Sequence, residues 1–113
     1  MKFIKDKDVY KVARITGVQD NILGVSFRES EADIKVIEWD AKKDTIRKTS
    51  SEEVLVQVLD GLKETNEELG KDYKLSIIYF LPTDSASNSV YKFLIAQIVK
   101  RVDSKAEFIK RRI

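Results

Sequence analysis

The chain has 113 residues, 42% apolar and 35% charged, and this balance predicts one globular domain over residues 1–113 rather than a disordered chain. It contains neither cysteine nor histidine, which excludes disulfides and thiolate chemistry and argues against a zinc site. The net charge of +2 is uneven, because residues 1–14 and 100–113 are basic while the region between them is acidic.

The beginning of the chain lacks the features of a targeting segment. Met1–Lys11, MKFIKDKDVYK, interrupts its apolar residues with charges and therefore has no hydrophobic region of a signal peptide. The longest apolar run, Ile77–Leu81, is far shorter than the roughly 20 residues that cross a bilayer. With the absence of cysteine, these features predict a cytoplasmic protein without membrane contact.

The first half of the chain has the pattern of β-strands. Val9–Thr16 alternates between two faces, Ile22–Phe27 follows a turn-forming segment, and Asp33–Trp39 predicts a third strand. Thr45–Thr49 is a candidate for a short fourth strand. Because short turns join successive strands, we expect antiparallel neighbours and so a β-meander of three to four strands.

The second half predicts helix, strand and helix. Ser50 and Glu53 have the spacing of a capping box, and the apolar residues after them recur at helical spacing, so Ser51–Leu69 should be an amphipathic helix. The apolar run Tyr73–Leu81 predicts a central strand covered on both faces. A second helix should follow over residues 87–102, before a basic C-terminal segment, residues 103–113.

The resulting order, β-β-β-(β)-α-β-α, defines a mixed α+β fold. It matches the first part of the ribonuclease H-like fold, an analogy of topology that gives no function by itself. A nuclease of that kind needs carboxylates on the first strand, the first helix and the end of the next strand to hold Mg²⁺. Glu53 and Asp84 stand at two of those places, but the predicted first strand carries no acid, so we expect no nuclease activity.

The stretch Tyr79–Phe93, YFLPTDSASNSVYKF, raises the question of a catalytic turn. Its serines lack a histidine base and the glycines of a nucleophile elbow, and the chain has no glycine-rich phosphate loop. We therefore interpret it as a proline stop followed by a helix cap. Asp84 keeps a weak ligand-binding interpretation, because it follows the carboxyl end of a strand, and we expect Asp84→Ala to lower stability before function.

Without a catalytic set, cofactor motif or metal motif, the small size and charged surface predict a non-catalytic module that binds a protein partner, of inhibitor, immunity or accessory type. Trp39, flanked by Glu38 and Asp40, resembles an interface anchor and is equally suited to cap the edge of the core. The acidic face of the first helix is the other candidate surface, represented by Glu64, Glu67 and Glu68. An exposed edge of the meander is also compatible with a homodimer.

The alternative is a nucleic-acid-binding or degenerate nuclease-like domain that uses the basic C-terminal segment. Basic side chains next to an aromatic ring could contact phosphates while the ring stacks on a base. The residues concerned are Lys105, Phe108, Lys110, Arg111 and Arg112. The competing interpretation is a solvated segment with Phe108 and Ile109 against the core. Whether the segment is helix or strand stays open at this point.

Overall fold

Six strands and two helices make up the regular structure of the computed structural model, which describes residues 1–15, 20–30, 32–39, 42, 44–84 and 89–110. The strands are β1 (Lys2–Asp6), β2 (Val9–Ile15), β3 (Asp20–Arg28), β4 (Lys35–Glu38), β5 (Lys74–Phe80) and β6 (Ile109–Lys110). Helix α1 (Ser51–Leu69) separates β4 from β5, and helix α2 (Val90–Asp103) separates β5 from β6. The predicted mixed α+β fold class is confirmed.

The strands form one mixed sheet in the order β4-β5-β3-β2-β1-β6. The antiparallel meander consists of β1, β2 and β3, and β5 pairs antiparallel with β3. On its other side β5 pairs with β4 in parallel, which is the direction that a helical crossover allows. The predicted element order of meander, helix, central strand and helix is therefore present, and the ribonuclease H-like analogy concerns that order alone.

Four details of the strand predictions were wrong. The meander begins with β1, which the charged sequence KFIKD concealed, and the predicted strand Asp33–Trp39 lies outside the meander as β4. The predicted fourth strand, Thr45–Thr49, does not form, since the Lys48 and Thr49 N–H groups bond to the Pro82 carbonyl instead, at 2.8 and 3.3 Å. The strand β5 is covered on one face only: Leu75, Ile78 and Phe80 are buried, whereas Ile77 and Tyr79 are half-buried.

Local signals set the bounds of α1. The Ser50 hydroxyl oxygen accepts the Glu53 N–H at 3.1 Å, and the helix ends at Gly70, whose φ of 65° is the left-handed conformation that glycine adopts without strain. Helix α2 begins at Val90, and the part of the prediction that falls on residues 85–88 lies outside the described residues. The Gln57 side chain of α1 accepts the Tyr91 N–H at 3.0 Å and so satisfies one N–H of the first turn of α2.

Both helices lie on the same face of the sheet. The fully buried strand residues Val12, Leu23 and Ile78 share that face by register, and they belong to one core with Val58 of α1 and Ile98 of α2. Neither helix in the described part of the chain has the length and apolarity that spanning a bilayer requires. The fold therefore has a helical side and a side on which the sheet itself forms the surface.

The C-terminal segment ends as a short edge strand. Residues Ile109 and Lys110 form β6 and pair in parallel with β1 through Ile4 and Lys5. The alternative left open by the sequence, a continued helix, does not occur in residues 104–110, because α2 ends at Asp103 and Lys105 turns the chain with a φ of 59°.

The two helices meet at Gly61. A Cβ atom on Gly61 would lie 2.5 Å from the Lys92 carbonyl oxygen and 2.5 Å from Cγ2 of Ile95, closer than any side chain can approach. Glycine in a helix interior costs about 1 kcal/mol relative to alanine. The close approach of α2 to α1 accounts for a glycine at this place.

We expect Gly61→Ala to lower the free energy of unfolding by about 1 to 3 kcal/mol, because the obstructing atoms include the α2 backbone and the helices must separate. Urea denaturation measures the change. The matched control is Asp60→Ala, at the neighbouring exposed position, where the better helix propensity should raise stability by about 0.5 kcal/mol. A Gly61→Ala variant as stable as Asp60→Ala would contradict the described helix packing.

Candidate functional site

The face of the sheet turned away from the helices carries a group of apolar side chains among charged ones, and we call it the open face. In a sheet with one solvated face, outward positions are usually polar. Here the strand register and the ring contacts place the following apolar residues outward: Ile4, Val9, Ala13, Ile22, Ile37, Trp39, Ile77 and Tyr79. Ile37 is 38% exposed and the others are half-buried, and neither described helix lies on this face.

Trp39 lies across the middle of the open face. Its indole stacks on the Tyr79 ring with centroids 5.2 Å apart and an angle of 12° between the planes. The tip of the indole, Cη2, would be 2.5 Å from a Cβ atom on Gly24, so Trp39 reaches from the end of β4 over β5 to β3. The Lys11 ammonium nitrogen is 5.2 Å from the centroid of the Trp39 ring. Trp39 therefore lies on the side of the sheet that faces away from the helices, and its role as an interface anchor stays a prediction.

Two contacts hold the end of β4 and so position Trp39. The Trp39 N–H donates to the Phe80 carbonyl at 2.8 Å, which extends the pairing with β5. The Arg47 guanidinium donates to both carboxylate oxygens of Glu38, at 2.7 and 3.1 Å. This hydrogen bond lowers the pKa of Glu38 below its usual range. The stack is therefore attached to a fixed strand end.

The described charged side chains of the open face are net basic, with Lys2, Lys11 and Lys35 against Asp6. Lys11 is 3.4 Å from Asp6, so these two charges neutralise each other beside the aromatic stack. Lys2 and Lys35 also project from this face by register, and neither forms an ion pair within the described ranges. The open face thus combines an apolar centre with ammonium groups at its rim that pair with no acid in the described ranges.

The acidic residues predicted for partner binding lie on α1, on the other side of the sheet from Trp39. The structure therefore does not bring Trp39 together with Glu64, Glu67 and Glu68. Glu64 accepts a hydrogen bond from Lys92 at 2.9 Å, which raises the pKa of Lys92, and Glu68 is 3.3 Å from Lys100. Glu67 lines a groove beside α1. The lysines of α2 thus balance part of the acidic face.

The aromatic ring predicted for base stacking is embedded in the protein. Phe108 packs edge-on against Phe3 and Tyr10, with ring centroids 6.0 and 5.1 Å apart. The Arg101 guanidinium lies 4.3 Å from the centre of the Phe3 ring and completes the cluster. Lys105, Lys110 and Ile109 are exposed, and Arg111 and Arg112 lie outside the described residues.

Asp84 ties three segments together. Its carboxylate accepts the Ile22 N–H of β3 at 3.1 Å, and its carbonyl accepts the Thr49 hydroxyl at 2.7 Å. Close by, burial raises the pKa of the Tyr91 hydroxyl to about 12, against a smaller opposing contribution from Asn21. Asp84 therefore makes structural bonds to β3 and to Thr49. The predicted helix cap was wrong in its residue, because the N-cap of α2 is Ser89, whose side chain makes no capping hydrogen bond. Ser85 and Ser87 lie outside the described residues, and the described ranges hold no acidic cluster suited to a metal ion.

The sequence interpretation missed most of the open face, including Lys11, Gly24, Ile37 and Tyr79. The signal was present in the alternation of Ile77 and Tyr79 with buried Ile78 and Phe80, but a continuous apolar run hides such alternation. The contact between Gly24 and Trp39 could not be predicted from a single sequence, because the Trp39 side chain comes from the end of another strand.

The fold and the site together define a small α+β protein with one helical face and one apolar sheet face. The chain matches no protein-family model, no curated protein and no solved structure. Its function therefore has to be inferred from the chemistry of the site.

Gly24→Ala should displace Trp39, because a Cβ atom would overlap the tip of the indole. Trp39 is the only tryptophan, so its fluorescence reports the change directly. We expect red-shifted emission, stronger quenching by acrylamide, and a stability loss of about 1 kcal/mol from the lost stacking. Gly70→Ala, where no atom lies within 4 Å of the new Cβ, is the control and should keep the parent emission. Unchanged emission in Gly24→Ala would show that the indole lies elsewhere.

Proposed function

We propose that the chain is a non-catalytic cytoplasmic binding module that recognises a protein partner through the open face. The observation that carries this proposal is the apolar character of the outward sheet positions, which solvent alone would not favour. Ile37, Ile77 and Tyr79 are outward residues of the two neighbouring parallel strands and form an apolar strip beside Trp39. Contact with a partner would remove this strip from water.

The Trp39 and Tyr79 stack supports the role of anchor. Large aromatic side chains dominate the energetics of protein interfaces, and a ring that is already held in place loses little entropy on binding. Trp39 is held by Tyr79 on its face and by the space above Gly24 at its tip. The matching partner surface would present aliphatic or aromatic side chains in its centre.

The charges of the rim support an acidic partner. Lys2 and Lys35 stand at different edges of the apolar centre, on β1 and β4. Carboxylates on the partner could reach both, which would speed association and set the orientation of the complex. A module of this kind would act as an inhibitor, immunity or accessory protein, by covering a surface of its partner.

The nucleic-acid alternative has weaker support. Lys105 and Lys110 are exposed and could contact phosphates, but Phe108 is engaged with Phe3 and Tyr10. No observation on the described part of the basic segment adds a second stacking ring. The alternative stays a prediction, and the experiment below separates it from the protein-binding function.

The test is affinity capture from a lysate of the native source, analysed by mass spectrometry with and without nuclease treatment. The key variant is Ile37→Asp, which places a carboxylate in the exposed apolar strip. The matched control is Val56→Asp, at a 66% exposed apolar position on α1, on the helical side. We expect the parent and Val56→Asp to retain the same protein after nuclease treatment, and Ile37→Asp to lose it, since a desolvated carboxylate is costly.

Three outcomes would contradict the proposal. Retention of the captured protein by Ile37→Asp, with circular dichroism confirming that the variants are folded, would place the interface elsewhere. Capture that ends with nuclease treatment and with removal of residues 105–113 would favour the nucleic-acid alternative. A homodimer that Ile37→Asp converts to a monomer would assign the open face to a second copy of the chain.

A further inference from the structure

A groove of about 550 Å³ lies on the helical side of the molecule. Its walls are the C-terminal half of α1, the segment that leads into β4, and the beginning of β5. The apolar lining residues are Ala32, Ile34, Leu59, Leu62, Tyr73 and Leu75. The volume falls within the range of about 300 to 1,000 Å³ that is usual for small-molecule sites. None of the groove's lining residues is among the apolar residues named for the open face.

The groove is bordered by cations, two of which pair with no acid in the described part of the chain. Lys71 pairs with Asp103 at 3.8 Å, and Lys74 pairs with Asp72. Arg28 and Lys63 form no ion pair with any residue in the described ranges. Glu67 and Asp72 are the acids among the described lining residues, and these residues together carry a net positive charge.

The Arg28 side chain carries a buried N–H group. Its Nε atom is buried and has no hydrogen-bond partner among the described residues. A buried donor without an acceptor is destabilising, and a guanidinium is best satisfied by a carboxylate, which can accept two parallel N–H bonds. Arg28 as a whole is half-buried and lines the groove, where the other N–H groups of its guanidinium could bind a ligand carboxylate.

The groove is held in shape by its own polar contacts. The Asn66 side chain donates to the Tyr73 carbonyl and accepts the Tyr73 N–H, both at 3.0 Å. These two hydrogen bonds join the end of α1 to the beginning of β5 and use both the oxygen and the nitrogen of the Asn66 side-chain amide. The apolar floor, with Leu62 7% and Leu75 2% exposed, is likewise part of the packed core.

We propose that this groove is a binding site for a small amphipathic carboxylate. The apolar body of the ligand would lie on Ile34, Leu59 and Leu62, and its carboxylate would bind the Arg28 guanidinium, with Lys63 as a second cation. The proposal concerns a different surface from the proposed partner interface and does not depend on it.

The test is an NMR titration of the folded chain with three probes of equal chain length: octanoate, octan-1-ol and octylammonium. We expect saturable shifts at the groove residues with octanoate, binding of octan-1-ol that is about tenfold weaker, and no shifts there with octylammonium. Arg28→Gln should weaken octanoate binding about tenfold and leave octan-1-ol binding unchanged. Lys48→Gln removes one exposed positive charge outside the groove lining and should bind octanoate as the parent does.

The apolar wall is tested separately with Leu59→Gln, at a 39% exposed position, against Val56→Gln at a 66% exposed position of the same helix. Leu59→Gln should weaken both octanoate and octan-1-ol, whereas Val56→Gln should weaken neither. If Arg28→Gln loses a folded spectrum, Arg28→Lys keeps the charge, removes the two-bond geometry and should still weaken octanoate. Absent or non-saturable octanoate binding, shifts on the open face alone, or equal octanoate binding by Arg28→Gln or by a folded Arg28→Lys would overturn the proposal.

Discussion

One-sided burial of the strand β5 is the constraint on which the rest of the structure depends. Its alternate residues Ile78 and Phe80 lie in the core under α1 and α2, and Leu75, beyond a register shift in the pairing with β3, is buried as well. The backbone of β5 pairs with β3 on one side and with β4 on the other. Both helices therefore pack against the same face of the sheet. Since the side chains of a strand alternate, Ile77 and Tyr79 must project from the opposite face, whatever covers them.

The open face is built from this geometry and from one close approach. Trp39 can stack on Tyr79 because β4 runs parallel to β5 and ends beside it, and the indole can extend to β3 because residue 24 is glycine. This apolar surface, with lysines at its edges that pair with no acid in the described part of the chain, is the observation behind the proposed partner interface. The groove at Arg28 is different, because there a cation lies at the border of an apolar floor.

The sequence predicted correctly the features that depend only on residues within one segment. Helix α1 follows from the Ser50 cap, the spacing of its apolar residues and Gly70, all of which lie within the segment itself. The position of β4 in the sheet could not be predicted, because its parallel pairing with β5 depends on a crossover 35 residues long, from residue 39 to residue 73. The contacts of the site could not be predicted either. The sequence singled out Trp39, but its contacts with Gly24 and Tyr79 form only when the strands pair. The groove brings together three distant segments and gave no sequence signal.

The central claim is that one face of the sheet is buried and the other is open in the isolated chain. Methyl NMR with a soluble paramagnetic relaxation agent measures this directly, since relaxation grows as a methyl group becomes accessible to solvent. We expect strong relaxation for Ile22, Ile37 and Ile77, and little for Ile78, Ile95 and Ile98, which are fully buried. Equal protection of Ile37, Ile77 and Ile78 in a monomeric sample would mean that the open face is covered by the chain itself, and would contradict the account.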